Sequence, residues 1–237
     1  MGLEVWQRLG EIFLYHGKYV VKLLERFGKV EWKSLATLME MKFKKLCGDF
    51  VVTNLENPYE YWQSIGALMF LVKTHPNTCF VVNILIQFMT EPLHEHWVVA
   101  KHMLRYLSGT FNLGMIYNAK DVRLHGYIDV DWAWNVIDKK STSRCWFSLG
   151  SAMISWMSRK KKFMNLSKVE ANYIVASMDR CQVVWLRKLF GELFEQVLGT
   201  TVIYCDNKSG IWLAESIVLH EKSKHIKIKY QYIWDMV

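Results

Sequence analysis

Residues 124–132 read LHGYIDVDW, an extended-looking stretch with two aspartates, Asp129 and Asp131, at its end. Alternate residues of a strand point to one face, so both carboxylates could aim at a single cation. Two carboxylates hold a hard divalent ion poorly, however. What the pair means therefore depends on what the rest of the chain supplies.

The stretch sits just past a change of period. Before it, KYVVKLLERFG, YWQSIGALMFLVKTH, CFVVNILIQFM and HEHWVVAKHMLRYLSGT space their apolar residues for helices, so residues 1–110 read as mainly helical. In the last of these, Trp97, Ala100, Leu104 and Leu107 recur at steps of three and four. From residue 112 onward the texture alternates. LGMIYN, LHGYIDV, CWFSLG and AMISWMS predict four strands, the last two joined by a tight turn at Gly150-Ser151. A long helix is expected from Lys168 to Leu198, with a stripe of Ile174, Met178, Cys181, Trp185 and Leu189 and with Gly199 as its stop. TVIYC predicts a fifth strand, and a short helix follows near Ser209 to Ala214. The fold class on this reading is α/β.

Composition narrows the function classes. With 51% hydrophobic and 22% charged residues, the chain of 237 residues can bury a real core. Thirty Lys and Arg against 22 Asp and Glu leave a formal charge of +8, which favours a polyanionic partner. The five cysteines are widely spaced and form no CxxC pair, which argues against a zinc knuckle or a disulfide framework. A reducing compartment is expected, intracellular and either cytoplasmic or nuclear. The N-terminus lacks the apolar core of a signal peptide. The apolar run Ile65 to Val72 stops at Lys73, too short to span a bilayer, so no membrane partner is expected.

GYIDVDWAW, KKSTSRCWFSLGSAMISWMSRKK, LSKVEANYIVAS, VVWLRKLFGELF, YCDNKSG and SKHIKIKY, in that order, resemble the ribonuclease H domain of copia-type LTR retrotransposon Pol polyproteins. GEIFLYHGKYVVKLLERFG, the block from Ile65 to Met89 and HWVVAKHMLRYLSGT resemble the segment of the same polyprotein beyond the reverse-transcriptase palm. The resemblance covers nearly the whole chain. It implies a helical reverse-transcriptase C-terminal region (thumb/connection-like) over residues 1–110. A ribonuclease H-like domain, a mixed five-stranded sheet with helices, would follow over residues 111–237. The family's tyrosine- or phenylalanine-x-Asp-Asp palm motif appears nowhere in this sequence, so DNA synthesis by this chain alone is not expected.

A ribonuclease H domain cuts the RNA strand of an RNA–DNA hybrid with two Mg²⁺ ions roughly 4 Å apart. The family holds them with four carboxylates. By the resemblance, Asp129 matches the first ligand and Asp206 the third, while Asp131 is no ligand and ends its strand. In Glu170-Ala171-Asn172-Tyr173 the ligand position is occupied by Asn172. Glu170 lies about 200° around a helix from it and has capping-box spacing to Ser167. In His225-Ile226-Lys227-Ile228 the fourth carboxylate is replaced by Lys227. The set thus loses two negative charges and gains a positive one. An ammonium about 4 Å from a divalent cation meets a repulsion of roughly 8 kcal/mol at an effective dielectric of about 20.

The resemblance therefore implies a degenerate nuclease whose Mg²⁺ binding is weak or absent. The alternative is a non-catalytic module that binds the RNA–DNA hybrid. The basic run Arg159, Lys160, Lys161 and Lys162, expected in a loop between the last antiparallel strand and the long helix, is a candidate for phosphate contact. Trp134, Trp212 and Trp234 depart from the family pattern, and exposed apolar surface is expected to promote self-association. His94, His96 and His102 read as a helix-start cluster rather than a metal site, because an i, i+2 spacing splits two imidazoles between helix faces.

Overall fold

A computed structural model describes residues 2–28, 32–39, 54–118, 122–131, 142–160, 182–195 and 199–205. The chain divides into two units, Met1–Lys120 with Ser151–Met153, and Asp121–Gly150 with Ile154–Val237.

The first unit opens on a hairpin of β1 (Glu4–Arg8) and β2 (Glu11–Tyr15), turned through Gly10 at a φ of 78°. Helix α1 (Gly17–Arg26) buries Val20, Leu23 and Leu24 and stops at Gly28, whose φ of 62° only glycine adopts without strain. Helix α2 (Pro58–Leu71) starts where Asn57 Oδ1 accepts the Tyr59 N–H at 3.1 Å and Pro58 takes the first position. A 3₁₀ turn at Pro76–Thr78 leads into α3 (Cys79–Ile86), and α4 (His94–Thr110) follows. The stripe predicted for α4 holds: Trp97, Ala100, Leu104 and Leu107 are all buried. The helices pack α1 on α4 and α2 on both α3 and α4, and the Tyr61 hydroxyl donates to the Leu85 carbonyl at 2.7 Å.

Strand β3 (Gly114–Asn118) then pairs antiparallel with β2, giving a sheet in the order β1-β2-β3. The mainly helical stretch 1–110 begins with a hairpin that the sequence reading did not separate out, since it lacks a clean two-residue alternation: Val5 and its neighbour Trp6 are both exposed. One expectation changes here. LGMIYN, expected beside the strands that follow it, instead completes the sheet of the N-terminal hairpin.

The second unit holds β4 (Leu124–Asp131), β5 (Thr142–Leu149), β6 (Ala152–Lys160), a helix over 182–194 (α5) and β7 (Val202–Cys205). The sheet order is β6-β5-β4-β7. Strand β5 runs antiparallel to β4, and β7 runs parallel to it. Among the described residues this mixed sheet therefore has four strands where five were expected. The β5–β6 turn falls at Gly150 as predicted, at a φ of 57°. Leu124, Cys145 and Phe147 form the core with Val183 and Leu186 of α5. Gly126 makes room for that packing, since a Cβ there would meet the Phe147 ring at 2.9 Å.

Three further expectations are corrected. The described end of the long helix buries Val183 and Leu186, while Trp185, placed in the predicted stripe, is 55% exposed. That helix also stops at residue 194, before Glu195 at a φ of 53°, and does not run on to Gly199. The basic run expected in a loop begins inside β6, which continues through Lys160. No helix among the described residues is long and apolar enough to cross a membrane.

Candidate functional site

Asp129 is the third residue from the end of β4, and Asp131 is the last, as its strand-end reading required. Side chains alternate across the sheet, so Leu124, Gly126 and Ile128 point to the α5 side and His125, Tyr127 and Asp129 point away from it. Directly opposite Asp129 on β5 stands Arg144, and its Nη1 lies 3.4 Å from Asp129 Oδ2. Both side chains are about a third exposed, so the pair adds little stability. Its weight is chemical, because a cation approaching Asp129 meets a guanidinium already there.

The same face carries a row of rings. Tyr127 stacks against Trp146 with centroids 5.6 Å apart and against Tyr204 at 5.0 Å, and His125 lies 6.1 Å from Tyr204. These separations match neighbouring strands whose rings stand side by side, so the ring faces are largely used on each other.

The parallel pairing of β4 with β7 runs to Ile128 opposite Cys205. Asp206, Asn172, Lys227, Lys161 and Lys162 lie outside the described residues, as do Trp134, Trp212, Trp234 and the short helix expected near Ser209. For Arg159 and Lys160 only the strand backbone is described. Arg144 was the residue the sequence reading missed. Its position opposite Asp129 depends on a register set across residues 132–141, which no turn motif fixes.

Four histidines of the first unit, His16, His75, His96 and His102, have structural partners. His96 Nδ1 accepts the Leu93 N–H at 3.0 Å, and its ring stacks on Phe88 with centroids 3.8 Å apart. It does the work of the glutamate in a capping box. Burial pulls its pKa down to about 4, with Glu95 acting weakly in the opposite direction. His102 Nε2 lies 2.9 Å from the Thr37 carbonyl. Deeper in the unit, Thr74 Oγ1 sits between His16 Nδ1 at 2.5 Å and His75 Nδ1 at 3.0 Å. Burial lowers both imidazole pKa values.

Over the whole chain the sequence is 34% identical to the retrovirus-related Pol polyprotein from transposon RE2 of Arabidopsis thaliana. It is 33% identical, over 96% of the chain, to the one from transposon TNT 1-94 of Nicotiana tabacum. The chain belongs to the copia-type Pol family. It spans only 16% and 17% of the length of those curated relatives. A shorter match covers 53% of the chain at 38% identity and 90% of secreted RxLR effector protein 161 of Plasmopara viticola. No family model matches this Pol-family sequence, and no solved structure does.

Proposed function

We propose that this Pol-family chain joins a reverse-transcriptase C-terminal region, residues 1–110, to a degenerate ribonuclease H-like domain, residues 111–237. The domain would recognise RNA–DNA hybrid and cut it poorly or not at all. One observation carries the reading: the parallel register of β4 and β7 ends on Ile128 and Cys205, each of which directly precedes an aspartate, Asp129 and Asp206. On the proposed reading, the carboxylates that follow these paired residues in sequence would share one end of the sheet. The mixed sheet, with one parallel strand reached through a helix packed on its face, supports the same fold.

The donor set does not fit two Mg²⁺ ions. Asp129 is ion-paired with Arg144, and the family positions filled by Asn172 and Lys227 offer a neutral amide and a cation. In the hydrolysis itself, therefore, we assign no step to bound metal in this chain. A ligand that binds only the folded state raises its melting temperature. Millimolar Mg²⁺ is expected to leave the wild-type melting temperature unchanged and to raise that of the double variant Asn172→Glu, Lys227→Asp. An equal rise in both would show that the wild-type site already holds the ion.

The second reading, a binding module without catalysis, is favoured by the formal charge of +8 and by the half-exposed Tyr204 at the end of the aromatic row.

A further inference from the structure

We propose that this chain pairs with a second copy of itself through β1, antiparallel and two-fold symmetric about Trp6. The sheet of the first unit has two edges among the described residues. On β3 the edge is occupied, since Ser151 Oγ accepts the Asn118 N–H at 3.1 Å and donates to the Ile116 carbonyl at 2.8 Å. On β1 the edge is open among the described residues. Sheets normally guard such an edge with charged side chains, proline or a bulge. The β1 sequence EVWQR has no proline and carries its charges only at its two ends, and between them it exposes Val5 by 58% and Trp6 by 60%.

The choice of a second copy as the partner comes from the charge pattern. An antiparallel pair centred on Trp6 sets Glu4 opposite Arg8, Val5 opposite Gln7 and Trp6 opposite its own copy. The two-fold axis repeats the Glu4–Arg8 match, so one short strand supplies two ion pairs and an aromatic pair. Glu4 already meets Lys18, whose Nζ lies 3.4 Å from Oε2 on an exposed side chain, so the second copy's Arg8 would join that pair. Tyr15 donates its hydroxyl proton to Glu4 Oε2 at 3.0 Å, the Lys18 N–H bonds Glu4 Oε1 at 2.8 Å, and the Trp6 indole N–H reaches the Tyr15 hydroxyl at 3.2 Å. Arg8 forms no ion pair among the described residues and is exposed. Beside the strand, Trp6, Arg8, Glu11, Phe13, Tyr15 and Ile116 line a groove of about 440 Å³. Pairing would join the two grooves into one apolar trough across the axis.

The test is sedimentation velocity of the full chain over a concentration series, with Arg8→Glu and Arg8→Gln, each also checked for its melting temperature. Wild type is expected to reach a dimer. Arg8→Glu sets like charges opposite one another and should raise the dissociation constant at least about tenfold. Arg8→Gln, which removes the charge without setting like charges together, should weaken the dimer less, and an unchanged melting temperature in both variants separates the lost contact from a folding defect. A wild-type chain that stays monomeric, or a dimer indifferent to Arg8→Glu, overturns the proposal. So does a monomer whose β1 amides are protected from hydrogen exchange, because a segment of the same chain would then occupy the edge.

Discussion

His96, read from its spacing as part of a helix start rather than as a metal ligand, caps α4. Its Nδ1 must stay unprotonated to accept the Leu93 N–H, and its ring is buried against Phe88. Protonation would therefore break the start of α4 and bury a charge. The folded pKa of about 4 lies below the ordinary imidazole value of 6.5, so between those values the unfolded chain binds the extra proton. Stability is fully present above pH 6.5 and falls as the pH drops toward 4, by about 3 kcal/mol from this residue. His16 shifts in the same direction. Burial acts on it first, then the neighbouring His75 and Lys73, with Glu4 opposing them. Urea midpoints measured between pH 7 and pH 4 should show a shallower slope in His96→Gln, whose amide oxygen can still accept from Leu93. An unchanged slope would remove His96 from the account.

Among the elements, β4 carries both the antiparallel pairing with β5 and the parallel pairing with β7. Gly126 is fixed by its place in that strand. Phe147 is fully buried across from it, so the ring has nowhere to go when a methyl group arrives at 2.9 Å. Gly126→Ala is expected to destabilise the second unit by roughly 1–3 kcal/mol, readable as a lower urea midpoint at an unchanged denaturant slope. Elements whose apolar residues are spaced locally were legible in the sequence: α1, α2, α3, α4 and the β5–β6 hairpin all form where their spacing put them. Those whose partners are remote were not. Strand β3 was recognised as a strand, but its pairing with β2, on the far side of four helices in sequence, follows from no local pattern. The described part of α5 was assigned the wrong face, because Trp185 fits a helical spacing as well as Val183 or Leu186 does. Only the packing on Leu124 and Phe147 chooses between them.

At the scale of the whole molecule, family membership came from ordered blocks along the chain, and the relatives bear it out across its full length. The candidate site was legible only in part. The identity of Asp129 and its strand could be read, but the guanidinium of Arg144 beside it could not, because cross-strand register is a tertiary property. A net charge of +8 predicts that any hybrid binding is largely electrostatic, so affinity should fall linearly on a log–log plot against salt. A fluorescence-anisotropy titration of a labelled hybrid at several salt concentrations measures the slope, and a flat line would remove the binding reading. The proposed cause of catalytic silence is the replacement of two family carboxylates by Asn172 and Lys227. It is tested most directly by cleavage of a labelled RNA–DNA hybrid in Mg²⁺, with the wild-type chain beside Asn172→Glu, Lys227→Asp. The account expects cleavage from the double variant alone, abolished again by Asp129→Asn, whereas cleavage by the wild-type chain at a similar rate would contradict it.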